Sequence, residues 1–219
     1  MFLRYSLLFT MLVLAADPCA WAQSPPTHHH SFGGAEHWSK VFDDPSRDAW
    51  QKPHEVIQAL DLRPDSIVAD IGAGTGYFSV RLAHFVPEGK VYGADVEPDM
   101  VGYLRSRAER EGLKNLTAVA AKADDPSLPE PVDVVLMVDV LHHIANRPAY
   151  LKRLGNSLKP QGRIAIIDFN QRSQMGPPKG ERLTQSTVKS DMKKSGYVML
   201  KEVKFLPDQY FLIFARGRQ

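Results

Sequence analysis

The residues best suited to chemistry stand where apolar runs give way to glycines and acids. Asp70-Ile71-Gly72-Ala73-Gly74-Thr75-Gly76 follows the apolar stretch Ile67-Val68-Ala69, and a second acid, Asp95, ends the next stretch, Val91 to Ala94. Glycines in a turn let the backbone bend tightly and approach a ligand with no Cβ in the way. A carboxylate at the end of the following strand can accept both ribose hydroxyls of an adenosine-containing ligand. The spacing is Gly-x-Gly-x-Gly. It is neither the Gly-x-Gly-x-x-Gly of dinucleotide folds nor a P-loop, because no Lys-Ser/Thr pair follows. Nothing basic is placed to hold a pyrophosphate, which counts against a nicotinamide-dependent oxidoreductase. Further along, Asp139, His142, His143 and Asp168 fall at the ends of two more apolar runs. They are the candidates for moving a proton. Of these, His143 is the favoured general base, its ordinary pKa of about 6.5 suiting neutral conditions. Asp139 is the first residue beyond a buried run that is free to face a cleft.

These side chains need a framework, and the pattern around them supplies one. Phe78, Leu82 and Phe85 recur at helical spacing after the glycines, and Val101, Leu104 and Ala108 do so after Pro98. Proline is well tolerated in a helix's first turn. Leu116 to Val119 reads as a third strand. Val132 to Val138 reads as a fourth, apolar throughout and hence buried on both faces. Leu151, Leu154 and Leu158 mark the next helix, and Ile164 to Phe169 a fifth strand. Strands alternating with helices imply a parallel sheet covered on both faces. The end of the chain differs: a helix near Leu183 to Lys194 precedes two β-rich runs, Tyr197 to Phe205 and Gln209 to Ala215. The short Leu206-Pro207-Asp208 link joins them only as an antiparallel hairpin. Glu36 to Leu62 reads as a helical lead-in, with Val56, Ile57 and Leu60 at helical spacing. We expect a single α/β domain over residues 36–219.

The start of the chain reads differently. Arg4 precedes a nearly continuous apolar run, Tyr5 to Ala16, that Asp17-Pro18 breaks, and Ala20-Trp21-Ala22 supplies small residues for a cleavage site. The run is shorter than the roughly 20 residues a spanning helix needs. Residues 1–22 are therefore expected to be a signal peptide, the mature chain to begin at Gln23 and the protein to be exported, to the periplasm, without stable membrane insertion. Residues 23–35, polar and rich in proline and histidine, read as a flexible tether. Their His28-His29-His30 tract is expected to be solvated rather than a functional metal site. The 219 residues hold a single cysteine, Cys19, so an intrachain disulfide, a CxxC metal site and an iron–sulfur cluster are excluded. Cleavage after Ala22 would remove even that thiol, and with it any chemistry through a cysteine thiolate. Lys and Arg number 27 against 25 Asp and Glu, a net charge of +2. That is too small to suggest nucleic acid as a partner.

From Gln51 to Arg216 the chain resembles the class I S-adenosylmethionine-dependent methyltransferases. Val68-Ala69-Asp70-Ile71-Gly72-Ala73-Gly74-Thr75-Gly76-Tyr77-Phe78 resembles the family's first motif and Val91-Tyr92-Gly93-Ala94-Asp95 its ribose-binding strand. Ala123-Asp124 stands where the family places an acid for the adenine amino group. Val132 to Val138 with Asp139-Val140-Leu141-His142-His143-Ile144 resembles its fourth strand and substrate-facing segment. Leu158-Lys159-Pro160-Gln161-Gly162-Arg163 is also typical. Arg47-Asp48-Ala49-Trp50-Gln51-Lys52-Pro53, Gly176-Pro177-Pro178 and Leu206-Pro207-Asp208-Gln209-Tyr210-Phe211 resemble a bacterial methyltransferase-like subgroup.

The resemblance implies a three-layer Rossmann-like fold whose seven-stranded, mostly parallel sheet ends in an antiparallel hairpin. It also implies S-adenosylmethionine as cofactor, held by Asp70, Gly72, Gly74, Gly76, Tyr77, Asp95, Val96, Ala123, Asp124 and Val138. The expected activity is methyl transfer by in-line displacement to a small-molecule acceptor, with His143 and Asp139 catalytic. The alternative is a protein that binds S-adenosylmethionine or S-adenosylhomocysteine without turnover. Asp139, Asp168 and Asn170 would also suit a hard divalent cation. In the metal-assisted catechol methyltransferases, however, the Asp-Asn pair is adjacent, and here Phe169 intervenes, so no metal is expected. Trp50 is open to two roles, packing over the cofactor or anchoring the lead-in helix. Gln209 and Tyr210 could equally serve the site or the hairpin turn.

Overall fold

The computed structural model describes residues Gly34 to Gly217. The export signal, the Gln23 start, Cys19 and the His28-His29-His30 tract lie outside the described residues. Among those described, no helix is long and apolar enough to cross a membrane.

Three short helices lead in: α1 (Ala35–Phe42), α2 (Arg47–Gln51) and α3 (Pro53–Ala59). The lead-in is helical as expected, and it is broken twice. The first break is Asp43-Asp44-Pro45-Ser46, a turn-forming run; the second is Lys52, whose positive φ of 47° precedes Pro53 at the start of α3. Then come β1 (Ile67–Ile71), α4 (Tyr77–Phe85), β2 (Lys90–Asp95), α5 (Pro98–Arg110), β3 (Leu116–Ala120) and β4 (Val132–Val138). They are followed by α6 (Arg147–Leu154), β5 (Leu158–Phe169), α7 (Gln185–Lys194), β6 (Tyr197–Val203) and β7 (Gln209–Arg216). Leu158, expected on the helix, opens β5 instead. It pairs with Val132 before the register shifts to Val134 opposite Arg163. Gly155-Asn156-Ser157 forms a 3-10 turn that ends the helix first.

The seven strands run in the order β3-β2-β1-β4-β5-β7-β6. β1 to β5 are parallel, while β7 is antiparallel to both β5 and β6. This is the three-layer Rossmann-like sheet expected from the motifs. Successive side chains of a strand point to opposite faces, and β4 divides its residues accordingly. Val134 and Leu136 join Leu82 and Leu104 under α4 and α5. Val135 and Met137 join Leu151, Leu154, Val188 and Met192 under α6 and α7. Because both faces are covered, polar residues of the parallel strands can reach a ligand only at the strands' carboxyl ends. The candidates converge there.

Candidate cofactor and acceptor site

The glycine loop joins β1 to α4. Gly72 N and Ala73 N both donate to Ala94 O, at 2.7 and 3.1 Å, which ties the loop to the end of β2. Gly74 sits at φ 54°, a left-handed conformation costly for a side chain, with only the Phe42 ring, 3.6 Å from an added Cβ, above it. At Gly72, an added Cβ would come within 2.2 Å of Val140 Cγ2, so the loop also lies flat against the segment after β4. Asp95 is locked by the same loop: Gly74 N donates to Oδ2 at 2.8 Å and Glu97 N to Oδ1 at 3.0 Å. Burial raises its pKa, and those backbone donors oppose the rise. Each oxygen keeps a lone pair for a ribose hydroxyl. Beside it, Val96 is 55% exposed, an apolar surface suited to one face of an adenine. These features fit S-adenosylmethionine.

Asp70 is buried under the loop, where Ser79 Oγ donates to it at 2.6 Å; burial pushes its pKa up to about 7. Tyr77 begins α4, donates its hydroxyl to Asp48 Oδ1 at 2.5 Å and lies between two guanidinium groups, Arg47 at 4.0 Å and Arg81 at 4.1 Å from its ring. Tyr77 thereby fastens α2 to the loop. Ala123 and Asp124 line a cavity of about 330 Å³ together with His143, Tyr150 and Arg153. The Asp124 carboxylate is 72% exposed and accepts from Arg153 Nη1 at 2.5 Å, which lowers its pKa. Val138 closes β4 and packs against the core beneath the loop.

The other half of the strand mouths is a buried polar network. Asp139 follows β4 at φ 57°, an unfavourable conformation for a non-glycine residue, with its N–H donated to Ile167 O at 2.9 Å. Its two carboxylate oxygens accept from Gln209 Nε2 at 2.7 and 2.8 Å, and Gln209 Oε1 accepts from Gln51 Nε2 at 2.5 Å. Burial and the neighbouring Asp168 push Asp139 up to about 7. His142 Nδ1 lies 2.9 and 3.1 Å from the two oxygens of Asp168, which also accepts the Phe169 N–H at 2.8 Å. Burial alone would lower the His142 pKa, but the hydrogen bond and charge of Asp168 raise it above its ordinary value. The rings of His142 and His143 stand 4.1 Å apart. The histidine held by an acid is therefore His142, while His143 lines the cavity at Ala123 and Asp124. The Tyr210 hydroxyl is buried with no hydrogen-bond partner among the described residues, in the field of Asp168 and Asp139.

Asn170 is not turned toward the acids. Its Oδ1 accepts from Arg172 N and Ser173 N, both at 2.9 Å, so it initiates the loop after β5. Among the described residues no group of three or more His, Cys, Asp or Glu is arranged to hold a metal. That loop is stapled by Arg182, which donates to the carbonyls of Pro177, Asn170, Ser173 and Met175. Trp50 tilts against Phe169 with ring centres 5.8 Å apart, at the end of β5. Sequence reasoning missed Arg47, Gln51 and Arg182 as parts of the site. No signal in the sequence set Gln51 apart from the other polar residues of the lead-in.

A profile of the methyltransferase domain family matches residues 62–206. The ubiquinone/menaquinone biosynthesis C-methyltransferase UbiE of Shewanella sp. (strain W3-18-1) is 26% identical over 125 residues, covering 56% of this chain and 49% of that protein. The chain thus spans about half the length of the curated relatives it matches. Among solved structures, a SAM-dependent methyltransferase from Aquifex aeolicus superposes with a TM-score of 0.76 at 27% identity, covering 82% of this chain and 97% of that one. The magnesium protoporphyrin IX methyltransferase ChlM of Synechocystis PCC 6803, with bound SAM, shares the fold at a TM-score of 0.65 and 18% identity, covering 85% and 93%. With the glycine loop, the strand-end acids and the matched domain in agreement, the chain belongs to the class I S-adenosylmethionine-dependent methyltransferase family.

Proposed function

We propose that the protein methylates a small molecule carrying an acidic hydroxyl, with His142 as the general base. The observation that carries this reading is the His142–Asp168 pair at the mouth of β4 and β5. Asp168 holds Nδ1 as the donor, which leaves Nε2 of the neutral ring with the lone pair that a general base needs. S-adenosylmethionine, when bound, supplies a methyl group already activated by a positive sulfur. The protein's remaining tasks are alignment and proton removal. Alignment can supply about 7–11 kcal/mol of a barrier, and the glycine loop with Asp95 fixes the donor end of that line. Asp139, next to the pair, holds the proton balance of the network. His143 lines instead the cavity at Ala123 and Asp124, on the side given to the cofactor's adenine.

A base that makes a phenolate serves methylation at oxygen or at an activated ring carbon, and the C-methyltransferase name of the Shewanella relative favours the second. Mass spectrometry of cell extract incubated with isotopically labelled S-adenosylmethionine identifies the product. No labelled product, together with tight cofactor binding, would make the protein a carrier instead. Export is a separate part of the proposal and rests on Met1 to Ala22; terminal sequencing of a periplasmic fraction should find Gln23 first.

A further inference from the structure

We propose that the edge of the sheet at β6 is a docking surface for an anionic lipid membrane. The proposal stands apart from the reaction and begins from an exposed apolar run. Val198, Met199 and Leu200 follow one another on β6 and are 50%, 46% and 55% exposed. The other exposed large apolar side chains among the described residues, Val41, Val96 and Met175, stand singly along the chain. A contiguous apolar patch marks an interaction surface. Four basic residues adjoin this one. Lys193 and Lys194 end α7 just before the strand, Lys201 directly follows Leu200, and Arg216 sits opposite Tyr197 on β7. All four are exposed, and none makes an ion pair among the described residues. The acids of α7 and β6 are already taken: Asp191 pairs with Arg147 at 2.7 Å and Glu202 with Lys189 at 3.1 Å. The chain's net charge of +2 hides this local excess.

An apolar centre with a basic border complements a bilayer surface of anionic headgroups, where aliphatic side chains enter the interface and cations meet phosphates. The strand itself argues against a second protein chain as the occupant. β6 pairs with β7 alone, and its register passes from Met199 opposite Phe214 to Lys201 opposite Ile213. Leu200 is therefore a bulged residue. A regular edge strand is a template for another strand, whereas a bulge twists the edge out of pairing. A fluid lipid surface asks for no register. The patch also lies away from the chemistry. Val198 pairs with Ala215 and Ala215 with Arg163, at the start of the β5–β7 ladder, while Asp168 stands near its end. A membrane held here leaves the strand mouths open.

The test is co-sedimentation of the soluble protein with vesicles of pure phosphatidylcholine and of an equal mixture of phosphatidylcholine and phosphatidylglycerol. The protein should prefer the mixed vesicles and be released from them as salt is raised. Lys193→Gln combined with Lys194→Gln should weaken that partitioning about 10- to 30-fold, each basic residue near an anionic surface being worth about a factor of five. Leu200→Ser should weaken it as well, through the lost apolar contact. Lys114→Gln, beside β3 at the opposite edge of the sheet, should leave it within about twofold. All four positions are exposed, and unchanged thermal melting shows that each variant is folded. Residues 1–33 are common to every variant, so differences among them report on the edge. No preference for the mixed vesicles, or equal partitioning of all variants, would overturn the proposal. So would a dimer in lipid-free sedimentation that Leu200→Ser dissociates, which would give the face to a second copy of this chain.

Discussion

The two halves of the strand mouths solve the binding problem with different materials. On the side of β1 and β2, the working surface is mostly backbone: N–H groups of Gly74 and Glu97 grip Asp95, and the buried carboxylate of Asp70 beneath accepts from its helical neighbour Ser79. On the side of β4, β5 and β7, the surface is side chain on side chain. Arg47 donates to Gln51, Gln51 to Gln209 and Gln209 to Asp139, with Asp168 and His142 alongside. A backbone cradle is set by local conformation and tolerates little change in ligand. A network of buried side chains polarises its members and shifts their proton affinities. The first half thus suits an invariant adenosyl group, and the second suits an acceptor that must lose a proton.

This contrast predicts which substitutions separate binding from turnover. His142→Ala should produce the largest effect, a fall in kcat of about 10²–10⁴-fold, the usual contribution of a general base, with cofactor affinity unchanged by calorimetry. Because the pKa of His142 is raised and the base must be neutral, activity should grow with pH through a midpoint above the ordinary histidine value. Loss of cofactor affinity in step with turnover would erase the distinction between the halves. On the other side, Asp95→Ala should cost about 1.5–3 kcal/mol of S-adenosylmethionine binding, the range for hydrogen bonds to a charged group. An unchanged dissociation constant in the folded variant would remove Asp95 from the ribose site.

The same contrast explains what could be read from the chain. Asp70 to Gly76 and Asp95 are short-range features: the glycines, the strand before them and the acid after them lie within one strand–helix–strand unit, so spacing alone placed them. The acceptor half joins residues far apart in the chain. Gln51 and Gln209 are separated by 158 positions, and Gln209 and Asp139 by 70. No periodicity encodes such a meeting. The choice between His142 and His143 was closed to sequence for a more local reason. Leu141 to His143 form one 3-10 turn, in which neighbouring side chains diverge by about 120°. Leu141 is buried, but which histidine then meets Asp168 depends on a phase that only the backbone reveals. Lys52 and Asp139, both at positive φ without being glycine, were hidden in the same way.

The network should also be the more fragile half. Gln209→Leu removes both donors from the Asp139 carboxylate and orphans Gln51 Nε2, since leucine offers neither group. Leaving buried polar groups unsatisfied costs about 1–3 kcal/mol, so denaturant unfolding should show a loss of about 2 kcal/mol. With its donors gone, Asp139 should titrate still higher, because those donors now hold its pKa down. A variant as stable as the parent would mean that water or a rearranged Gln51 replaces the amide, and that the network is less constrained than its geometry indicates.

Asp70 offers the finest test, because it is a buried carboxylate on the backbone-dominated side. Its pKa is pushed up to about 7, first by burial, with Ser79 and Arg47 opposing and Asp95 adding to the rise. A raised carboxyl binds its proton more tightly folded than unfolded. Its contribution to stability is complete below the unfolded value near 3.8 and is lost as the pH climbs through about 7. Between pH 6 and pH 8 the protein should therefore lose about 1 kcal/mol on account of this group. Asp70→Asn cannot ionise and keeps an oxygen to accept from Ser79 Oγ. Its stability should decline less over the same interval, by about that amount, with the remaining decline coming from Asp139 and His142, whose raised pKa values act in the same direction. Thermal melts of both proteins at the two pH values measure the difference. Parallel declines would show that Asp70 is already ionised at pH 6, which requires a stronger positive field at the glycine loop and makes Arg47 the first residue to examine.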